Sequence, residues 1–247
     1  MVQIIENIKN KTEIMVKNSK KLKEIKNIEN VERIIIVNCP KLQIIENIKN
    51  VKTIQIMWCK TIIIKNVKNI NHFLVQGTGV FFENIEKIKF FSFLSNGCPK
   101  EFKNCKDIKS AFFFRTCVNS SSLKGLTSIE NLIIRKCPNL QDGIMFDYLK
   151  NIKDLYIFSS CSGLHKLNKL KKLRVIHSID YLKKELDYLK NVKKKYYKEA
   201  ECCTKHQNIT TYLNQQKLNE KTSSFLVLKK LDKISPDLCR CLISNYL

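Results

Sequence analysis

The chain lacks the features that mark the common membrane, secreted and catalytic classes. Its longest uninterrupted apolar stretches, such as Ile34 to Val37 and Val80 to Phe82, are a handful of residues, whereas a membrane-spanning helix needs about 20. The opening Met1-Val2-Gln3-Ile4-Ile5-Glu6-Asn7 has no basic cluster, no continuous apolar core and no small-residue cleavage site. No secretory signal is therefore expected, and the expected location is intracellular and cytoplasmic. In that setting the 11 cysteines of the 247-residue chain are expected to stay reduced. No phosphate-cradling Gly-rich loop with Lys, no His-Glu-x-x-His and no Gly-x-Ser-x-Gly is present. The four histidines, His72, His165, His177 and His206, have no acid, nucleophile or glycine-rich loop beside them. These absences argue against an enzyme, and no cofactor is implied.

Acid is scarce as well. Against 45 Lys+Arg stand 22 Asp+Glu, a net charge of +23, and only five of the basic residues are Arg (Arg33, Arg115, Arg135, Arg174 and Arg240). A positive balance invites a nucleic-acid or anionic-surface reading, but Arg is the better fork for phosphate and base edges. Lys, Ile and Asn are also abundant together while Gly and Pro number six and four. That combination reads as the residue bias of an AT-rich coding sequence plus a solvated surface.

What the chain does have is a repeat. Ile25, Ile28, Val31, Ile34, Ile36, Cys39 and Leu42 are followed at the same spacing by Ile45, Ile48, Val51, Ile54, Ile56, Cys59 and Ile62. The frame starts near Ile5, Ile25, Ile45, Ile64, Phe82, Phe102, Leu123, Phe146 and Leu167, at intervals of 18 to 23 residues, with a degenerate tenth copy from Leu186. The alternation at Ile34-x-Ile36, Ile54-x-Ile56 and Phe91-x-Phe93 predicts a short strand with one buried face; the i, i+3 steps before it predict a tight return. A single turn of this length cannot bury its apolar set alone, so the turns are expected to stack. Ten strands about 4.8 Å apart make a solenoid about 45 Å long.

The segments Val31-x-x-Ile34-x-Ile36-x-x-Cys39 and Ile129-x-x-Leu132-x-Ile134-x-x-Cys137-Pro138-Asn139-Leu140 resemble the core of the leucine-rich repeat, with Ile often in place of Leu and one extra residue before the last apolar position. The resemblance covers about residues 1 to 200. It implies an α/β solenoid with a parallel concave β-sheet, a short 3₁₀ or extended convex side, and a helical C-terminal cap. The expected division is residues 1–203 for the solenoid and 204–247 for the cap.

On that plan the residues between the core positions face outward from the concave sheet. One column is Met15, Ile35, Gln55, Leu74, Ser92, Phe112, Ile133, Tyr156 and His177; the next is Lys17, Val37, Met57, Gln76, Leu94, Phe114, Arg135, Phe158 and Ile179. Both are mostly apolar or aromatic, which points to a protein partner or a covering element. Ile35, Met57, Leu74, Phe112, Phe114, Ile133, Arg135, Tyr156, Phe158 and His177 are the expected partner-binding residues. Lys52, Lys89, Lys109, Lys153 and Arg174 flank the face, favouring an acidic rim on that partner. The competing class is a basic nucleic-acid or anionic-surface binder using convex and C-terminal lysines.

Cys39, Cys59 and Cys137 fall on the repeat's Asn-or-Cys position, and Cys117 and Cys161 one residue later, where a thiol acts as a small hydrophobe supporting the turn. Cys202, Cys203, His206, Cys239 and Cys241 supply enough ligands for zinc, but their spacing matches no common pair of knuckles, and core or cap cysteines explain them equally. From Tyr181 the pattern changes, and residues 193–198 form a basic run belonging either to the last repeat or to a capping helix. At the end of the chain, Pro236, Leu238, Leu242, Ile243, Tyr246 and Leu247 lie at amphipathic helical spacing. The stretch resembles an F-box, and more closely the truncated F-box-like motif of poxvirus ankyrin-repeat proteins. Ser235 and the pair Leu238-Cys239 depart from that motif. The resemblance implies docking on the adaptor subunit of a cullin ubiquitin ligase; a plain cap accounts for the same residues. With the AT-rich bias, the whole chain resembles leucine-rich repeat proteins of large AT-rich DNA viruses of the insect poxvirus kind, though a protist with similar codon bias would look alike; the F-box resemblance implies that the repeats capture a host or cellular protein.

Overall fold

The computed structural model describes residues 3–94, 98–116, 118–137, 144–157, 164–179, 186, 187 and 189–197. All but Tyr197 belong to one unit, Met1–Tyr196. The expected cap, the F-box-like residues, the Cys202/Cys203/His206/Cys239/Cys241 group, Phe158, Cys117 and Cys161 lie outside the described residues.

The unit is a parallel-sheet β-solenoid with little helix. Its strands are β1 (Gln3–Lys9), β2 (Glu13–Lys17), β3 (Leu22–Glu29), β4 (Arg33–Val37), β5 (Ile44–Met57), β6 (Ile62–Gln76), β7 (Gly79–Leu94), β8 (Cys98–Lys103), β9 (Lys106–Phe114), β10 (Asn131–Arg135), β11 (Asp154–Ile157), β12 (Val175–Ile179) and β13 (Lys193–Tyr197). Each turn pairs in parallel with the next, in the order β1-β3-β5-β6-β7-β9-β10-β11-β12-β13, with β2 on β4, β4 on β5 and β8 on β7. The basic run at residues 193–197 is therefore a strand of this sheet.

The long strands bend twice, mostly at asparagine, with Lys87 at the second bend of β7. Among the described residues, 12 of the 17 non-glycine residues with positive φ are Asn, the residue that tolerates the left-handed region best after Gly. In β5, Asn47 and Asn50 have φ of 54°. Each left-handed residue shifts the in-out alternation by one position. Ile45, Ile48 and Val51 thus all point inward despite three-residue spacing, and all are buried. The corner residues also stack. Asn27 donates through Nδ2 to Asn7 Oδ1 (3.0 Å), Asn47 to Asn27 (3.0 Å), Asn66 to Asn47 (3.2 Å), Asn84 to Asn66 (3.1 Å) and Asn104 to Asn84 (3.2 Å). A second ladder runs Asn69, Asn50, Asn30, Asn10. The abundance of Asn is therefore architectural at these positions, correcting its reading as residue bias alone.

The return segments are extended in the first six turns and helical afterwards. Ser121–Gly125 and Leu164–Lys169 are 3₁₀ turns and Met145–Tyr148 is a single α turn. The cause lies in the sequence: the paired left-handed corners, Asn-x-x-Asn as far as Asn69 and then Asn84 with Lys87 and Asn104 with Asp107, stop there, and Leu123, Leu126 and Ile129 carry the three-residue spacing without left-handed residues. A 3₁₀ segment advances about 2.0 Å per residue against about 3.3 Å for a strand. More residues are then needed for one circuit, and the interval lengthens. Asn119 Oδ1 caps the first of these turns by accepting from the Ser122 amide (2.8 Å). Only glycine fits at its end, because a Cβ on Gly125 would lie 1.7 Å from the Phe102 carbonyl oxygen.

The core is a stack of inward Ile, Val, Leu and Phe. In the middle turns it becomes aromatic. Phe82 has ring centroids of Phe73, Phe91, Phe93 and Phe102 at 5.8, 5.0, 5.7 and 4.9 Å.

Candidate functional site

Strand registry brings the two outward columns together as the sequence spacing predicts. Met15, Ile35, Gln55, Leu74, Ser92, Phe112, Ile133, Tyr156 and His177 are successive register partners. So are Lys17, Val37, Met57, Gln76, Leu94, Phe114 and Arg135. Between inward neighbours such as Ile34 and Ile36, the residues of both columns up to Tyr156 point to the other face of the sheet.

The face is not open along its length. Ile35 is 3 % exposed, Ile133 4 %, and Phe112 and Phe114 8 %. Arg115 and Arg135 each place the guanidinium carbon 5.3 Å from the Phe114 ring centroid, a geometry in which the ring's negative face attracts the cation.

Met15 on β2 is 45 % exposed, and a second partly accessible stretch lies on β5 to β7. Met57 and Leu74 are half-buried, as are Gln55 and Thr53. A third outward column adds His72 and Phe90, register partners whose rings lie 6.1 Å apart. Column spacing alone does not single these two out, because they lie outside the pair of core positions that brackets the first outward column. Extending the same alternation two residues toward the N-terminus finds them. Arg135 and Tyr156 are half-buried on the later strands.

The flanking cations largely have acids of their own. Lys52 Nζ lies 2.7 Å from Glu32, and Glu130 sits between Lys153 (3.0 Å) and Lys109 (3.6 Å). The hydrogen bond from Lys153, and then the charge of Lys109, hold the Glu130 carboxyl below its ordinary range against the opposing effect of burial. A second column alternates in sign over six turns as Glu6, Lys26, Glu46, Lys65, Glu83 and Lys103, with pairs at 3.4, 2.9 and 3.3 Å. Such pairs add little energy but disfavour slipped registers.

The cysteines are turn supports. Cys39, Cys59 and Cys137 each donate through Sγ to the carbonyl two residues earlier, those of Val37 (3.5 Å), Met57 (3.6 Å) and Arg135 (3.4 Å). Thr78 makes the same bond to Gln76 (3.1 Å). Burial pushes the Cys59 thiol up to about 11 and that of Cys105 to about 12, and raises Cys39 and Cys137 as well. Because the folded state holds these protons more tightly than the unfolded chain, their contribution to stability is complete below pH 9.0, the ordinary thiol value, and is lost as pH rises beyond it. Denaturant titrations at pH 7 to 10 are expected to show stability falling only above about pH 9. These four thiols are expected to resist alkylation in the native state and to react once unfolded; rapid native alkylation at any of them would contradict the placement.

Among the described residues no group of three or more His, Cys, Asp or Glu side chains is placed to hold a metal ion, and no helix is long and apolar enough to cross a membrane. No protein-family profile, curated protein or solved structure matches the chain.

Proposed function

We propose that the chain is a non-enzymatic protein-binding solenoid, built on the leucine-rich repeat plan that its core spacing resembles. A partner would be engaged on the outer face of β5 to β7. The observation carrying this reading is the patch of Met57, His72, Leu74 and Phe90, uncharged or weakly basic, partly accessible and held in register on a rigid sheet. Residues of this kind, set within polar surroundings, form the anchors of protein interfaces. Arg135 and Tyr156 would extend the contact along the sheet.

The test is affinity capture with the full-length chain and its Leu74→Asp variant, checked for unchanged circular dichroism. A genuine partner is expected to be retained by the parent chain, to survive raised salt, and to lose affinity at least about tenfold on Leu74→Asp. Equal capture by both chains, with steep salt sensitivity, would sink the proposal and favour binding through the lysines. The F-box-like resemblance adds a specific outcome. If the adaptor reading holds, cullin-ligase subunits co-purify with the parent chain and disappear with Leu242→Asp and Tyr246→Ala.

A further inference from the structure

The corners that join one turn to the next carry charge of a single sign. Residues 17–23, 37–43, 57–62, 76–80 and 98–100 contain no Asp or Glu, although ten acids, from Glu6 to Asp107, occupy the rest of those turns. Lys20, Lys21, Lys23, Lys41, Lys60 and Lys100 stand along this ridge. All but Lys23 are exposed, and none forms an ion pair among the described residues. Lys23, Lys41 and Lys60 border a shallow depression of about 470 Å³ together with Pro40, Leu42, Gln43 and Thr61.

The only tryptophan of the chain lies on the same ridge. Trp58 takes the left-handed corner, φ 51°, that Asn18 and Asn38 hold in the preceding turns. A bulky aromatic in that conformation is strained, and such strain marks candidate binding sites. Its indole reaches over the next corner, where a Cβ on Gly77 would lie 2.8 Å from Trp58 Cδ1. Gly79 leaves room in the same way for Thr61 and the Lys100 stem, 2.9 and 3.7 Å from its Cβ position. Beside the ridge, the register partners Ile63 and Phe81 are 43 % and 39 % exposed.

We propose that this ridge docks the protein on an anionic lipid bilayer surface. Lysines would lie against headgroup phosphates and carboxylates, with Trp58, Ile63 and Phe81 at the edge of the acyl region. Clustered lysines attract anionic lipids, and Trp with aliphatic side chains suits the interface. Corners stacked turn upon turn by parallel pairing form a continuous edge, which can present several lysines to one surface. A single-stranded nucleic acid fits less well. The ridge has no Arg, the better phosphate fork, and Ile63 has no π-face on which a base can stack.

The test uses the full chain with vesicles of phosphatidylcholine, with and without phosphatidylserine. Co-sedimentation is expected only with phosphatidylserine, weakening steeply with salt, together with a blue shift of the single tryptophan's fluorescence. The triple change Lys41→Gln, Lys60→Gln and Lys100→Gln is expected to reduce partitioning at least about tenfold with the circular dichroism unchanged; Lys20→Gln with Lys21→Gln, at exposed corner positions, provides a second, milder reduction should the triple variant misfold. Three results would each overturn the proposal: no partitioning, partitioning undiminished in folded ridge variants, or tighter binding of a single-stranded oligonucleotide than of the anionic vesicles.

Discussion

Phe82→Ala is expected to lower stability by about 3–5 kcal/mol. The ring is fully buried and meets Phe73, Phe91, Phe93 and Phe102, stacking on the last at 4.9 Å. Four facing rings cannot all move inward, because each is fixed to a strand of the same sheet, so the cavity would stay largely unfilled. In a solenoid each turn supports only its neighbours, and damage at this point should loosen β6 to β8 before the ends. The checks are the denaturation midpoint and hydrogen exchange, in which protection should fall first for amides of those three strands. A loss below about 1 kcal/mol would mean that the aromatic stack is not closely packed.

Asn47→Val should cost about 2–4 kcal/mol. Forcing a side chain into the left-handed region costs roughly 1–2 kcal/mol, more when it is β-branched. The two ladder hydrogen bonds, to Asn27 and from Asn66, contribute about 0.5 kcal/mol or more each. Asn47→Gly separates the terms. Glycine accepts φ of 54° but breaks the ladder, so its cost should be about 1 kcal/mol. Equal losses for Val and Gly in denaturant titrations would show that the ladder, and not the backbone conformation, holds the corner.

The outward columns were legible in the sequence because a strand places alternate residues on opposite faces and the repeat interval sets which residues become partners. From the spacing of Ile34, Ile36, Ile54 and Ile56 alone, Ile35 and Gln55 follow as neighbours, and the registry agrees. The repeated motif Ile-Glu-Asn-Ile-Lys-Asn-Val, at residues 45–51, also signalled a tight return. Its bends and amide ladders were harder to read, since the same letters fit a biased composition. The stacking of Asn47 between Asn27 and Asn66 becomes visible only when successive turns are superposed.

Accessibility was not legible. Ile35, Phe112 and Ile133 are apolar residues on the outer face, and the pattern cannot tell an open stripe from a covered one; their burial depends on atoms remote in sequence. The same holds for charge. The count of 45 basic against 22 acidic residues says nothing of the pairing of Glu130 with Lys109 and Lys153, or of the acid-free ridge on which Lys41, Lys60 and Trp58 meet. The sequence by itself determined the solenoid, its interval and the identity of each column, because these follow from local alternation and from the conformational preference of Asn, which act over a few residues. Only the tertiary structure decided which columns reach solvent and which charges stand unpaired, because exposure and Coulomb partners are set by neighbours about 20 residues or more away in the chain.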